Sequence, residues 1–434
     1  MTKIEFAFLS LSHSTDMTFE SPTSIDEFTN DFMFLFAKEE DIDRENHKVN
    51  IQSLQQNTPE LREKVDEFVE HYKDINIKVF QLRSYFQKLT VGENFLIWTG
   101  ATLTSEQRTQ FYNYLTSLQE GKDYEMVAKQ MDDLFGELRK TYTIQAVDGT
   151  TKKPIGEQDK SKRICRFCNN TRANVTFKNV AHAISESLGN KKIILNEECD
   201  ECNAEFGSAA GIEGSLITFL KFYGVFFGIK GKNGIPKIKG KNFELSNEGK
   251  IEIKHYADND EDLKKDKDLT EAKFRLDTFD NVVMQDIYKT LCKYSLSVID
   301  SSVLNQFENT ISWLNSKTTI TKLPKVAILS SYDFFKTHPS LIVYLIQESN
   351  TDLPYAVGEF HYTFLTFVFI IPLAKSDSKD FTDQKDYDKF WDFFKHYNMT
   401  KDWDYRNFSD NTKRKFTLNL NFNAKQSEDE GTKV

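Results

Sequence analysis

Three pieces of one stretch carry the reading: Cys165-Arg-Phe-Cys168, then Phe177-Lys-Asn-Val-Ala-His182-Ala-Ile184, then Cys199-Asp-Glu-Cys202-Asn203. Two Cys-x2-Cys pairs stand 30 residues apart, with one histidine between them and an asparagine directly after the last cysteine. A Cys-x2-Cys turn places two sulfurs on one metal, and four thiolates complete a tetrahedral Zn2+ site. Such a site is closed and structural. It would compensate for the small core of a module of about 45 residues, because metal-binding free energy becomes folding free energy. The chain has five cysteines, an odd number that does not suit a disulfide framework. Cys292, alone in Tyr288-Lys-Thr-Leu-Cys292, reads as a small core residue.

Working outward, the 434 residues suffice for two or three domains. Charged residues at 28% and hydrophobic residues at 39% are ordinary for a globular protein. With 37 Phe and 17 Tyr, the cores are expected to be aromatic-rich. Only 8 Pro and 18 Gly argue against a disordered chain. The apolar stretch Phe6–Leu11 has no basic start and no small-residue cleavage site, and Phe364–Leu373 is too short to span a bilayer. A cytoplasmic protein without membrane contact is expected.

Charge is unevenly spread. Residues 1–150 hold 15 Lys and Arg against 26 Asp and Glu, whereas residues 151–256 hold 18 against 12. A basic segment inside a chain of net charge −10 points to a local phosphate-binding surface rather than general affinity for nucleic acid. The basic residues concentrate in Gly228–Lys241, which has five lysines (Lys230, Lys232, Lys237, Lys239 and Lys241), four glycines and no acid. Read as a hairpin, it is either a solvated charged turn or a phosphate contact. Arg163, Arg166 and Arg172 near the cysteines would join the second.

The fold class expected is α+β. Residues 1–150 read as an acidic, mostly helical domain that starts with a strand at Ile4–Leu9 and continues with helical spacing over 61–89, 105–118 and 124–138. Residues 147–163 read as a polar linker, and 151–256 as a metal-stapled domain with a helix starting at Asn203 and running past Tyr223. The charge run at 258–268 reads as a solvated boundary, 270–425 as a mixed α/β domain, and the last ten residues as a frayed end.

The order Cys165-x2-Cys168, His182, Cys199-x2-Cys202-Asn203, with Asn190 and Asn196 between, resembles the HNH endonucleases and their zinc-bound ββα-metal fold, over about residues 163–207. The resemblance implies that Cys165, Cys168, Cys199 and Cys202 bind structural Zn2+ and that His182 is the general base. It also implies that Asn203 is a ligand of a catalytic Mg2+ or Mn2+, and that Asn196 or Asn190 is the middle asparagine that orients the base. Many members carry an acidic ligand immediately before the histidine. This chain has Ala181 there, and Glu186 and Glu205 are the candidates to replace it. The same likeness implies hydrolysis of DNA leaving a 5′-phosphate, with the flanking domains controlling cutting in a restriction or anti-phage role. A partner or signal acting on the N-terminal domain and a homodimer fit that role. A zinc-stapled binding module without catalysis, and cleavage of RNA instead of DNA, are the competing expectations.

Overall fold

The computed structural model describes residues 2–21, 26–43, 48–99, 103–150, 152–208, 211–241, 243–256, 264–265, 271–348 and 352–423. It is α+β and divides into two compact units, Met1–Gly136 and Glu137–Val434.

The first unit is built on a four-stranded antiparallel sheet in the order Ser14–Ser21, Thr2–Ser10, Asn94–Thr99, Leu54–Gln56. Phe6 and Phe8 of the second strand enter an aromatic core with Phe19, Phe32, Phe86 and Phe95, while Ala7 and Leu9 pack with Leu96 and Leu115 on the other face. A strand buried on both faces reads as a continuous apolar run, as 6–9 does. Helices Pro59–Tyr72 and Val79–Lys88 replace the single helical stretch expected at 61–89. The break is an Asx turn, in which Asn76 Oδ1 accepts the Lys78 N–H at 3.1 Å. Helices predominate in the unit, and the sheet adds to them strands beyond the one expected at Ile4–Leu9.

The second unit is organised by a six-stranded antiparallel sheet in the order Asp404–Arg406, Val326–Ser330, Leu365–Ile370, Ala356–Thr363, Lys336–Ile346, Tyr142–Asp148. Helix Met284–Val298 covers one face, with Tyr288 on Phe369 and Tyr294 on Phe360. Helix Gln384–Phe393 and the residues after it cover the other, with Phe394 on Tyr344 and Trp391 on Tyr405. A small sheet places Lys153–Ile155 parallel to Ile193–Leu195, which pairs antiparallel with Ala181–His182. Helices Asp200–Gly207 and Glu213–Phe226 follow.

Two expectations are corrected. Residues 147–163 are no linker: Tyr142–Asp148 is a sheet edge, Lys153–Ile155 joins the small sheet, and Ile155 O accepts the Asn196 N–H at 2.9 Å. The helix expected from Asn203 past Tyr223 starts earlier, at Asp200, and ends at Gly207. At Gly211 a Cβ would come within 2.3 Å of the Glu205 carbonyl, so the chain turns there before the second helix. The cysteine-bearing segment also shares one core with the large sheet: Cys165, Leu188, Phe206 and Leu216 belong to the same cluster as Leu291, Leu341 and Phe367. The expected break between 151–256 and 270–425 therefore does not separate two cores. Apart from Lys264–Lys265 the 258–268 run lies outside the described residues, as does the terminal stretch from 424.

Candidate active site

The metal cradle comes first. All four sulfurs of Cys165, Cys168, Cys199 and Cys202 lie within 4.8 Å of one another, and among the described residues they are the one group of three or more His, Cys, Asp or Glu placed to share an ion. Cys168 Sγ and Cys199 Sγ are 3.7 Å apart. Tetrahedral coordination at a Zn–S distance of about 2.3 Å puts sulfurs about 3.8 Å apart, so the cage fits zinc. Backbone N–H groups already point at it: Cys199 N donates to Cys165 Sγ and Cys202 N to Cys199 Sγ, both at 3.4 Å. The Cys202 thiol and the N–H groups of Cys199, Cys168 and Phe167 pull the Cys165 thiol down to about 5, whereas burial pushes Cys199 up to about 12. Asn169, with φ at 58°, closes the turn after the first pair. Cys292 lies apart from this group, fully buried in its helix.

Around the cradle the sequence folds as ββα: strand Ala181–His182, strand Ile193–Leu195, then helix Asp200–Gly207 with Cys199 as its N-cap. Asp200 clamps the approach to the histidine, since its carboxylate accepts from the Thr176 hydroxyl and from the N–H groups of Lys178 and Asn179 at 2.9 and 2.8 Å. Fully buried Asn190 closes the loop between the strands. Its Nδ2 donates to the carbonyls of Ile184 and Ile193, and its Oδ1 accepts from the N–H groups of Lys192 and Ile193. Asn196 is half-buried at the end of the second strand. Of the two asparagines weighed from sequence, Asn190 has the bonds that hold the loop.

His182 is half-buried opposite Ile194, and burial lowers its basicity. Glu186 and Glu213 work against that shift, and Lys293 and Lys232 add to it. Ala181 is buried and points to the other face of the strand. Asn203 is half-buried in the first turn and a half of the helix, with its N–H on Cys199 O. Glu205, two residues on, projects from the opposite side of that helix and is exposed. Glu186 instead sits in the turn Glu186–Leu188 that follows the histidine strand.

Residues 165–211 match the family model of the HNH endonucleases. The four-cysteine cage lies inside that match and is placed to hold a structural metal, consistent with a zinc-bound HNH module. Neither the comparison with curated proteins nor that with solved structures finds a match. Among the described residues no helix is long and apolar enough to cross a membrane.

Two arginines leave the list of expected phosphate contacts. Arg166 is buried: it pairs with Glu197 at 2.8 Å and donates to the carbonyls of Leu296 and Ile299 at the end of helix Met284–Val298. A guanidinium at that helix terminus complements its partial negative charge. Arg163 is spent on the carbonyls of Glu157 and Gln158. In the basic hairpin all five lysines are exposed, but Lys237 pairs with Glu248 at 2.6 Å and Lys239 with Glu244 at 3.3 Å. Lys230 and Lys232 make no ion pair among the described residues, and Gly231 between them packs on Ser187 in the turn after His182.

Sequence reading missed what lies beneath the HNH module. Fully buried Lys293 is 3.0 Å from both Glu198 and Glu213, and its ammonium lies over the rings of Phe167 and Phe206. Burial disfavours its charge, but the two carboxylates outweigh that and raise its pKa. Burial pushes Glu198 up to about 7. The available signal was a pair of lysines, Lys289 and Lys293, among the Tyr and Leu residues of helix Met284–Val298.

Proposed function

We propose that this protein is a metal-dependent HNH endonuclease that hydrolyses DNA phosphodiester bonds. The observation that carries this reading is a half-buried histidine, its charged form disfavoured by burial, on the strand between the two pairs of a four-cysteine cage that lies inside the match to the HNH family. A neutral imidazole accepts a proton at neutral pH. His182 takes the proton of the attacking water, Asn190 fixes the loop that carries it, and Lys232 faces the incoming phosphate. The Asn203 amide and the Glu186 carboxylate are hard oxygen donors suited to Mg2+ or Mn2+, and when bound that ion supplies positive charge at the scissile phosphate and the leaving oxygen. Asn196 closes the second strand and supports the turn into Cys199. Glu186 is the replacement for the acidic ligand absent at Ala181, since Glu205 projects from the wrong side of its helix.

The first unit, which is acidic, has the wrong charge to hold DNA. We assign it to control of cutting through a partner or signal, in a cytoplasmic defence role. Two modules in a homodimer would cut both strands. The test is nicking of supercoiled plasmid with Mg2+ or Mn2+. His182→Ala is expected to lose activity by about 10²–10⁴-fold, the usual contribution of a general base, while keeping its zinc. Undiminished cutting by His182→Ala would refute the assignment of the base. A wild type that binds DNA but never cuts would favour the non-catalytic binding module that Ala181 brings to mind, and cutting of RNA alone would replace DNA as substrate.

A further inference from the structure

Four exposed aromatic rings of the second unit belong to two short segments: Tyr332 at 68%, Phe334 at 54% and Phe335 at 38% in one, and Phe226 at 38% in the other. They are not loose. Tyr332 stacks on Phe364 with ring centroids 4.8 Å apart and planes at 19°, and Phe227 holds Phe335 and Phe364 edge-on at 5.0 and 5.5 Å. A ring with one face on Phe364 that is still mostly exposed presents its other face to solvent. The turn beneath is tied down, since Phe364 O accepts the Ser331 N–H at 2.9 Å and the Ser331 hydroxyl bonds Asp333.

The same chain segment joins this cluster to the candidate active site. Phe226 and Phe227 end helix Glu213–Phe226, and Gly228, Ile229, Lys230, Gly231 and Lys232 follow. Ile229 packs on Gly189, and Gly231 on the turn carrying Glu186 and Ser187. Gly231 is four residue steps from Phe227, a reach of at most about 14 Å for extended chain. That is about four nucleotides of stacked rise at 3.4 Å per strand step. Along it stand Lys230 and Lys232, exposed and without an ion pair among the described residues. Alternating requirements are met in order: rings for bases, ammonium groups for phosphates, then the histidine.

We propose that Tyr332, Phe335 and Phe226 form a stacking platform for unpaired bases, with Lys230 and Lys232 gripping the backbone, so that the enzyme holds a single-stranded stretch of DNA beside the cut. This rests on the nuclease reading for DNA as the occupant. Duplex DNA offers no free base faces to these rings. A single strand offers one per nucleotide, and base–aromatic stacking is tolerant of sequence.

The test uses the full chain in a His182→Ala background, which prevents cutting during binding. The probes are a labelled 20-nucleotide DNA strand, its blunt duplex and the matching RNA strand. Tyr332→Ala and Phe335→Ala are expected to weaken single-strand DNA binding about tenfold each and duplex binding less than twofold, the first being the size of one lost base stack. Lys230→Ala with Lys232→Ala is expected to weaken both and to flatten the salt dependence. Tyr332→Leu, which keeps an apolar contact on Phe364, guards against a folding defect and is expected to lose single-strand binding as well. Equal losses on strand and duplex, or none, overturn the platform, and so does a loss confined to RNA. Plasmid nicking by the protein with His182 intact separates the two readings. A nuclease whose ring variants bind strands normally refutes the platform alone. Ring-dependent strand binding without any cutting leaves the platform and refutes the nuclease.

Discussion

Burial makes the His182 ring less basic, and the nearby cations Lys293 and Lys232 act in the same direction, while Glu186 and Glu213 oppose them. The sign follows for activity. In the proposed role as base the ring acts in its neutral form, so kcat/KM is expected to be flat through neutral pH and to fall on the acid side, with an apparent pKa below the ordinary histidine value of 6.5. Lys232→Ala removes one contribution that lowers the pKa, and its acid limb is expected to move to higher pH. A normalised pH–rate profile checks this, and a limb that stays put or moves down contradicts it. At the same scale, sequence identified His182 by its place between the cysteine pairs but could not tell Arg166 from a surface cation. An arginine beside a metal ligand looks the same in sequence whether it faces phosphate or, as here, Glu197 and two helix-terminal carbonyls.

Helix Asp200–Gly207 depends on its flanks, being only eight residues long. A helix that short is marginal alone. Cys199 caps it, the cage pins its first turn and Phe206 enters the common core. Wild type is expected to carry one zinc per chain, and Cys199→Ser is expected to lose both the metal and thermal stability, read by metal analysis and a melting curve. Full zinc content in Cys199→Ser would contradict the cage. Helix Met284–Val298 has its own electrostatic tie. Lys293→Ala strands Glu198 and Glu213 in the core, and removing one partner of a buried ion pair costs about 3–5 kcal/mol. The triple change Lys293→Met, Glu198→Gln, Glu213→Gln removes every charge together and is expected to cost less. Urea unfolding compares the two, and a harmless Lys293→Ala would mean the triad carries no stability. The strands Ala181–His182 and Ile193–Leu195 are too short to show a period; Asn190 fixes the loop between them by bonding the Ile184 and Ile193 carbonyls.

Within the second unit, the sheet face under helix Gln384–Phe393 buries a second charged group. Glu359 is 2.7 Å from His361 Nε2 and accepts from the hydroxyls of Tyr397 and Tyr344. Burial opposes its ionisation, but His361 and Tyr397 prevail and hold the carboxyl down at about 2, below its usual 4.5. A depressed carboxyl contributes stability that is complete above pH 4.5 and is lost as pH falls toward 2, a contribution on the order of 3 kcal/mol. Glu359→Gln is expected to lower stability at pH 7 and to reduce its fall between pH 5 and pH 2.5, measured by denaturant unfolding at several pH values. An unchanged slope would place the acid sensitivity elsewhere.

Spacing and residue chemistry by themselves determined the metal cage and the α+β class, and singled out His182 as the candidate base. These rest on local rules: two thiolates per Cys-x2-Cys turn, one imidazole beside them, and hydrophobic period along each element. Only the tertiary structure decided that the cysteine-bearing segment has no core of its own, and that Arg166 is buried against Glu197 while Lys230, Lys232 and Lys241 stay exposed without an ion pair among the described residues. It also decided that the exposed rings of Tyr332 and Phe335 lie against Phe227, at the start of the segment that packs on the turn Glu186–Leu188. Those facts depend on which distant residues pack together, and no local pattern records the partner of a buried charge or the neighbour of an exposed ring.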